Sequence, residues 1–106
     1  MGKRREQRTR IAIPVKVHTR DGENRPVSAM ACTMDLTPSG ARLSGVTVPV
    51  VPGDVLCVER GMNRNYFQVM WVGSKEQGTF GQVGLLCIDP ETNIWGVELL
   101  PGLDER

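Results

Sequence analysis

Apolar and polar side chains alternate one by one near the start of the chain, in Ile11-Ala-Ile-Pro-Val-Lys-Val. A period of two puts every second side chain on the same face, so this segment predicts a half-buried β-strand and not a helix. Pro14 lacks an amide hydrogen, which places it at a sheet edge or a bulge. Because no long amphipathic helix accompanies such strands, the chain can bury a core only by packing a sheet on itself.

The same signature recurs between clusters of turn residues. It predicts further strands over 26–36, 41–44, 54–60, 65–72 and 79–88. A chain of 106 residues is the size of one domain. We therefore expect an all-β fold, a small six-stranded antiparallel β-barrel, with at most a short helical turn at Asp89-Pro-Glu near the C-terminus.

Two faces can be assigned from the alternation. In the second strand Leu36 falls on the same face as Met30, Cys32 and Met34. In the strand 65–72 the alternation groups Trp71 with Phe67 and Val69, which favours the core over an exposed stacking position. Trp95 lies outside the strands and is also predicted to be a core residue.

Charge is distributed unevenly along a chain whose formal net charge is +1. Residues 1–25 contain eight basic and three acidic residues, whereas the remainder contains five basic and nine acidic ones. Residues 1–10 carry no large apolar side chain after Met1, so we interpret them as a flexible basic arm that precedes a barrel domain over 11–106. Such asymmetry indicates an anionic partner for the arm.

Several classes of function are disfavoured by what the sequence does not contain. His18 is the only histidine, and no hydrolase, phosphate-loop or paired-cysteine motif occurs, so we expect no catalytic residue, no metal site and no cofactor. No apolar run is long enough for a membrane span, and the N-terminus lacks a signal-peptide core. Three widely spaced cysteines in apolar surroundings indicate buried thiols, and hence a cytoplasmic location.

Two motifs stand apart from the strand pattern. Arg4-x-x-x-Arg8 lies in the arm, and Asp35-x-Thr37-x-x-Gly40 lies at a predicted turn between strands. Arginine offers a planar fork of donors for a phosphate or for the edge of guanine. A carboxylate complements the N–H donors of a purine, a hydroxyl adds one more contact, and glycine permits a tight turn or a close approach of the backbone.

In this order and placement the two motifs resemble those of the PilZ domain, a bacterial receptor domain for the second messenger cyclic di-GMP. The resemblance extends over nearly the whole chain and includes the DLTPSG turn, the FQVMWV strand and GQVGL. It implies the split, six-stranded PilZ-type barrel and a receptor that orders its arm on binding the nucleotide. Since the chain has room for the sensor alone, the signal would pass to an unidentified protein partner.

Carried over by position, the resemblance makes Arg4 and Arg8 the arm residues that hold phosphate and guanine. Asp35, Thr37 and Gly40 would receive the second guanine on the barrel surface. Thr37 stands where the family usually has serine, which keeps the hydroxyl and adds a methyl group. The less certain, auxiliary ligand contacts are Arg5, Arg10 and Arg42.

Other readings of the same residues remain open. Asp35 could cap its own turn, as aspartates often do. The chain could be a PilZ-like interaction module that binds a protein and no nucleotide. It could also be a small barrel that binds single-stranded nucleic acid through the arm, although such modules need aromatic side chains interleaved with basic ones, and nucleic acid is therefore the least favoured partner.

Overall fold

The computed structural model describes residues 7–89 and 92–97, and the structural statements below concern these ranges. Six strands make up the fold: β1 (Pro14–Arg20), β2 (Pro26–Thr37), β3 (Gly40–Ser44), β4 (Val55–Arg60), β5 (Asn63–Val72) and β6 (Val83–Cys87). No helix within the described ranges has the length and apolar character needed to cross a membrane.

The strands close into a barrel in the order β1-β2-β3-β6-β5-β4, and every neighbouring pair is antiparallel. This confirms the predicted all-β, six-stranded antiparallel barrel. Near the C-terminus the amide of Thr92 donates to the carbonyl of Asp89 at 3.2 Å, which closes a turn. Pro90 and Glu91, on which the expected helical turn partly falls, lie outside the described residues.

Inward-facing apolar side chains from all six strands fill the barrel. Those with no more than 2% of their surface exposed are Val15, Val17, Leu36, Leu43, Leu56, Val58, Phe67, Val69, Val83 and Ile94. Trp95 is also buried, as predicted, and its ring centroid lies 5.8 Å from that of Phe67. The segment after β6, to which Ile94 and Trp95 belong, therefore contributes to the core.

The first strand follows the predicted alternation, with Val15 and Val17 inside. Pro14 pairs with Cys32 on β2, while the pairing of β1 with β4 covers only the positions from Lys16 to His18. Pro14 thus has a strand neighbour on one side only. Because β4 does not pair with Pro14, the missing amide hydrogen interrupts no hydrogen bond between β1 and β4, as the sequence predicts for an edge position.

A β-bulge in β2 changes which residues face the core. Pairing with β3 shifts register between Thr33 and Asp35, so one additional residue is inserted on β2. Leu36 is consequently buried completely, and the prediction that it shares a face with Met34 is wrong. Sequence alternation alone cannot anticipate the shift, because a bulge reverses the facing of every residue that follows it.

A second bulge acts in the same way on β5. Its pairing with β6 shifts between Val69 and Trp71, so that Trp71 leaves the core face and 39% of its surface is exposed. The prediction that Trp71 belongs to the core together with Phe67 and Val69 is therefore wrong for Trp71. The first bulge turns Leu36 inward and the second turns Trp71 outward, and both lie within the four neighbouring strands β2, β3, β6 and β5.

The three cysteines are free and half-buried, so the prediction of buried thiols is wrong. Cys32 and Cys57 each stand between two inward-facing neighbours and so point to the outer side of the sheet. Even this partial burial raises the pKa of the Cys57 and Cys87 thiols above the ordinary cysteine value. A raised pKa disfavours the thiolate, so it makes neither Cys57 nor Cys87 more reactive.

A contact across β1 and β4 yields a pH prediction. His18 Nε2 lies 2.7 Å from Glu59 Oε1, and this hydrogen bond, helped by the nearby positive charges, lowers the pKa of Glu59. Because the pKa is lower in the folded state, the resulting stabilisation is present above the ordinary glutamate pKa and is lost as the pH falls through the lowered value. In His18→Ala we expect the pKa of Glu59 to rise. The variant should then lose less folding stability than the wild type as the pH falls through this range.

The pKa of Glu59 can be measured by following its side-chain carboxyl carbon by NMR during an acid titration. Lys16→Ala is the control, since Lys16 contributes only the weakest of the charge effects on Glu59. A Glu59 titration that is the same in His18→Ala as in the wild type would show that the hydrogen bond is absent in solution.

Candidate functional site

A groove of about 380 Å³ crosses the outer surface of β2, β3, β6 and β5. It is referred to below as the site groove, and it is lined by Arg8, Asp35, Thr37, Ser39, Gly40, Ala41, Arg42, Met70, Trp71, Gly84, Leu85 and Leu86. Its volume lies in the range of about 300–1,000 Å³ that is usual for small-molecule sites. The groove brings the described residues of both sequence motifs together.

Four of the lining residues form one row across the barrel. Asp35 on β2 is opposite Arg42 on β3, Arg42 is opposite Gly84 on β6, and Gly84 is opposite Trp71 on β5. Both bulges are needed for this row, since they bring Asp35 and Trp71 into their registers. Bulges commonly re-aim side chains next to functional sites. The row offers, in order, a carboxylate, a guanidinium, a bare backbone and an indole.

Asp35 is the buried polar centre of the groove, with 3% of its surface exposed. Arg42 donates to Asp35 Oδ2 from Nε at 3.2 Å and from Nη2 at 2.5 Å, and Arg8 Nη1 lies 3.6 Å from the same oxygen. Among the described residues no hydrogen bond is made to Oδ1. Two guanidinium groups and one carboxylate leave the described lining of the groove with a net positive charge, which suits an anionic ligand.

The described part of the arm is attached to β2. Thr9 forms an isolated antiparallel bridge with Leu36, with a 2.8 Å hydrogen bond in each direction between their backbones. Thr33 extends this attachment, because its hydroxyl donates to the carbonyl of Ile11 and accepts from the amide of Ile13. Backbone pairing at Thr9 is what brings the neighbouring Arg8 to the groove.

Of the other arm arginines, Arg10 is the only one within the described residues. Arg10 is exposed and does not line the groove. Arg4 and Arg5 lie outside the described residues. Of the two auxiliary candidates that the structure describes, Arg42 contacts a motif residue, Asp35, and Arg10 does not line the groove.

Between β2 and β3 the turn is closed by Thr37 and not by Asp35. The Thr37 hydroxyl accepts the amide hydrogen of Gly40 at 3.1 Å and lies 3.4 Å from the Ser39 hydroxyl. Asp35 lies on the strand before the turn and bonds across to Arg42. The interpretation of Asp35 as a turn-capping residue is therefore wrong.

Gly40 is required by strand packing. A Cβ on Gly40 would overlap the backbone carbonyl oxygen of Leu85 on β6. The φ angle of Gly40 is not positive, so its backbone conformation does not itself require glycine. The glycine therefore allows β3 and β6 to approach each other at the floor of the groove. A close approach of strands explains this residue without any ligand.

Trp71 is the groove residue that sequence reasoning missed. Its indole lies over Gly84, where a Cβ would overlap the ring, and it faces the same groove as Arg42. The signal that could have found it is Gly84 itself, since a glycine inside an apolar strand often marks a close approach. Only the pairing of β5 with β6 reveals that an aromatic ring covers that glycine.

A second groove, of about 470 Å³, lies over β1, β4 and β5 and contains none of the motif residues. His18 lines it, but its ring is already bonded to Glu59. Within the described ranges, no group of three or more His, Cys, Asp or Glu side chains could hold a metal ion. The site groove is therefore the better candidate for a ligand.

No protein-family model matches the chain, and a search of curated proteins finds no significant match.

Proposed function

We propose that the protein is a receptor or adaptor domain of the PilZ type, which binds cyclic di-GMP in the site groove and signals to a partner protein. The observation that carries the proposal is the buried Asp35 carboxylate, which has one oxygen held by arginines and the other without a hydrogen bond among the described residues. A carboxylate oxygen of this kind is suited to accept the N–H donors of a guanine edge.

The rest of the groove supports an anionic purine ligand. Arg8 can give up its 3.6 Å contact with Asp35 and pair with a phosphate, since its side chain is 57% exposed. Trp71 provides an aromatic face for stacking a base, and such stacking contributes about 1–3 kcal/mol per base. Arg4, if the arm folds over the ligand, would supply the second guanidinium of the arm motif.

The test is a calorimetric titration of the full chain with cyclic di-GMP. We expect the wild type to release or absorb heat with a saturable isotherm, and Arg8→Ala and Asp35→Ala to lower the affinity by about 10- to 100-fold, as expected for hydrogen bonds to charged groups. Binding should weaken with added salt, because arginines meet phosphates.

Arg64→Ala is the matched control for Arg8→Ala, because it removes the same charge from the protein. Arg64 is exposed on β5 and does not line the site groove. Its affinity should equal that of the wild type. A flat titration of the folded wild type would rule out the receptor proposal. A gel shift with single-stranded oligonucleotides, lost in the same variants, would instead assign the groove to nucleic acid.

The alternative is a PilZ-like interaction module that binds no nucleotide. One observation favours it: among the described residues, Arg8 and Arg42 of the chain itself already balance the charge of Asp35, so the carboxylate needs no ligand for its charge to be paired. In that case the wild type would give no heat with cyclic di-GMP, while a protein partner would bind with an affinity that the nucleotide does not change.

A further inference from the structure

The two arginines that contact Asp35 differ in how they are held. Arg42 lies on β3 directly opposite Asp35 and donates two hydrogen bonds to Oδ2. Arg8 reaches the same oxygen at 3.6 Å from a segment attached through the Thr9 bridge, and its side chain is 57% exposed against 33% for Arg42. The two contacts are therefore unequal in geometry, in exposure and in the backbone pairing that supports them, since Arg42 lies in a strand paired on both sides and Arg8 lies beside an isolated bridge.

If the protein binds a nucleotide as proposed, the difference between the two arginine contacts decides which arginine is released from Asp35 to the ligand. For Arg8 to bind a phosphate, it must leave Asp35. A carboxylate as buried as Asp35 is strongly disfavoured when it has no partner. The exchange is possible only if another group stays on Oδ2 while Arg8 is away.

We infer that Arg42 is a positioning residue that holds Asp35 permanently, and that Arg8 is its exchangeable partner. Arg42 keeps Oδ2 occupied and so leaves Oδ1 for the ligand. Arginine suits this task because Nε and Nη2 reach the same oxygen together, which the single ammonium group of a lysine does not reproduce. Arg42 therefore sets both the orientation of Asp35 and the freedom of the arm.

The first test needs no ligand. Urea unfolding of the full chain is compared for the wild type, Arg8→Ala, Arg42→Ala and the double variant. We expect the unfolding equilibrium constant to rise by about tenfold in Arg42→Ala, where a buried charge loses its main partner. In Arg8→Ala we expect a rise of less than about threefold, because the Arg8 side chain is largely exposed and its contact with Asp35 is the longer one.

The double variant measures the exchange directly. In the Arg42→Ala background Arg8 becomes the only described partner of Asp35, so Arg8→Ala should then raise the unfolding constant more than it does in the wild type. Equal effects of the two single variants, or an Arg8 effect that is the same in both backgrounds, would overturn the inference. This result is independent of whether cyclic di-GMP binds.

The second test uses cyclic di-GMP with Arg42→Ala and Arg42→Lys, each shown to be folded by its NMR spectrum. We expect both variants to lose at least about tenfold in affinity, because Asp35 is misoriented and the arm is retained on it. Full recovery in Arg42→Lys would mean that only charge matters and would overturn the positioning role. A wild type that does not bind while the unfolding results hold would refute the proposed function alone.

Discussion

Leu36→Ala is expected to lower the free energy of unfolding by about 3–4 kcal/mol, within the range for fully buried leucines. The side chain has no exposed surface, so its removal takes apolar contacts out of the centre of the barrel and leaves a cavity. The barrel strands around it are joined by hydrogen bonds and can close over the space only in part. Urea denaturation followed by tryptophan fluorescence would measure the loss.

Met34→Ala is the matched control for the bulge in β2. Simple alternation puts Met34 and Leu36 on the same face, whereas the bulge leaves Met34 half-buried and Leu36 buried. We expect Met34→Ala to cost less than about 1.5 kcal/mol, since much of that side chain already contacts water. Similar costs for the two variants would show that the register shift does not exist in solution.

Gly40→Ala is expected to destabilise the barrel by about 3 kcal/mol, at the upper end of the cost of overpacking. The new methyl group would overlap the Leu85 carbonyl, a backbone group fixed in the sheet, so β3 and β6 would have to move apart. The hydrogen bond from the Gly40 amide to Thr37 would be strained by the same movement. Loss of the groove should follow from loss of this strand pairing.

Gly84→Ala provides the contrast, because there the obstacle is a side chain. The Trp71 indole can swing away from the new methyl group, so we expect a cost of only about 1 kcal/mol together with altered tryptophan emission and weaker ligand binding. Gly22→Ala is the control, since nothing lies within 4 Å of a Cβ there. The interpretation fails if Gly84→Ala is as destabilising as Gly40→Ala.

The Leu36 and Gly84 predictions share a physical origin in the two bulges. One bulge turns Leu36 into the core and brings Asp35 opposite Arg42, and the other turns Trp71 out over Gly84. A sheet without these shifts would bury an indole and place a different residue opposite Arg42. The site groove is thus a consequence of local departures from regular β-pairing, which are frequent beside functional sites.

The sequence by itself determined the all-β class and the six strands in their approximate positions, since local alternation and turn residues carry that information. It also singled out Arg8, Asp35, Thr37 and Gly40, which the structure gathers along one groove. They were carried over by position from the resemblance of the two motifs to those of the PilZ domain. Their chemistry toward a nucleotide stays a proposal.

Only the tertiary structure decided the details that make the groove a site. The facing of Leu36 and Trp71, the pairing of Arg42 with Asp35 and the cover of Gly84 by an indole depend on strand register. Register is set by packing between strands that are distant in sequence, and one inserted residue reverses every face beyond it. The alternation of apolar and polar residues within a single strand does not show where such a residue is inserted.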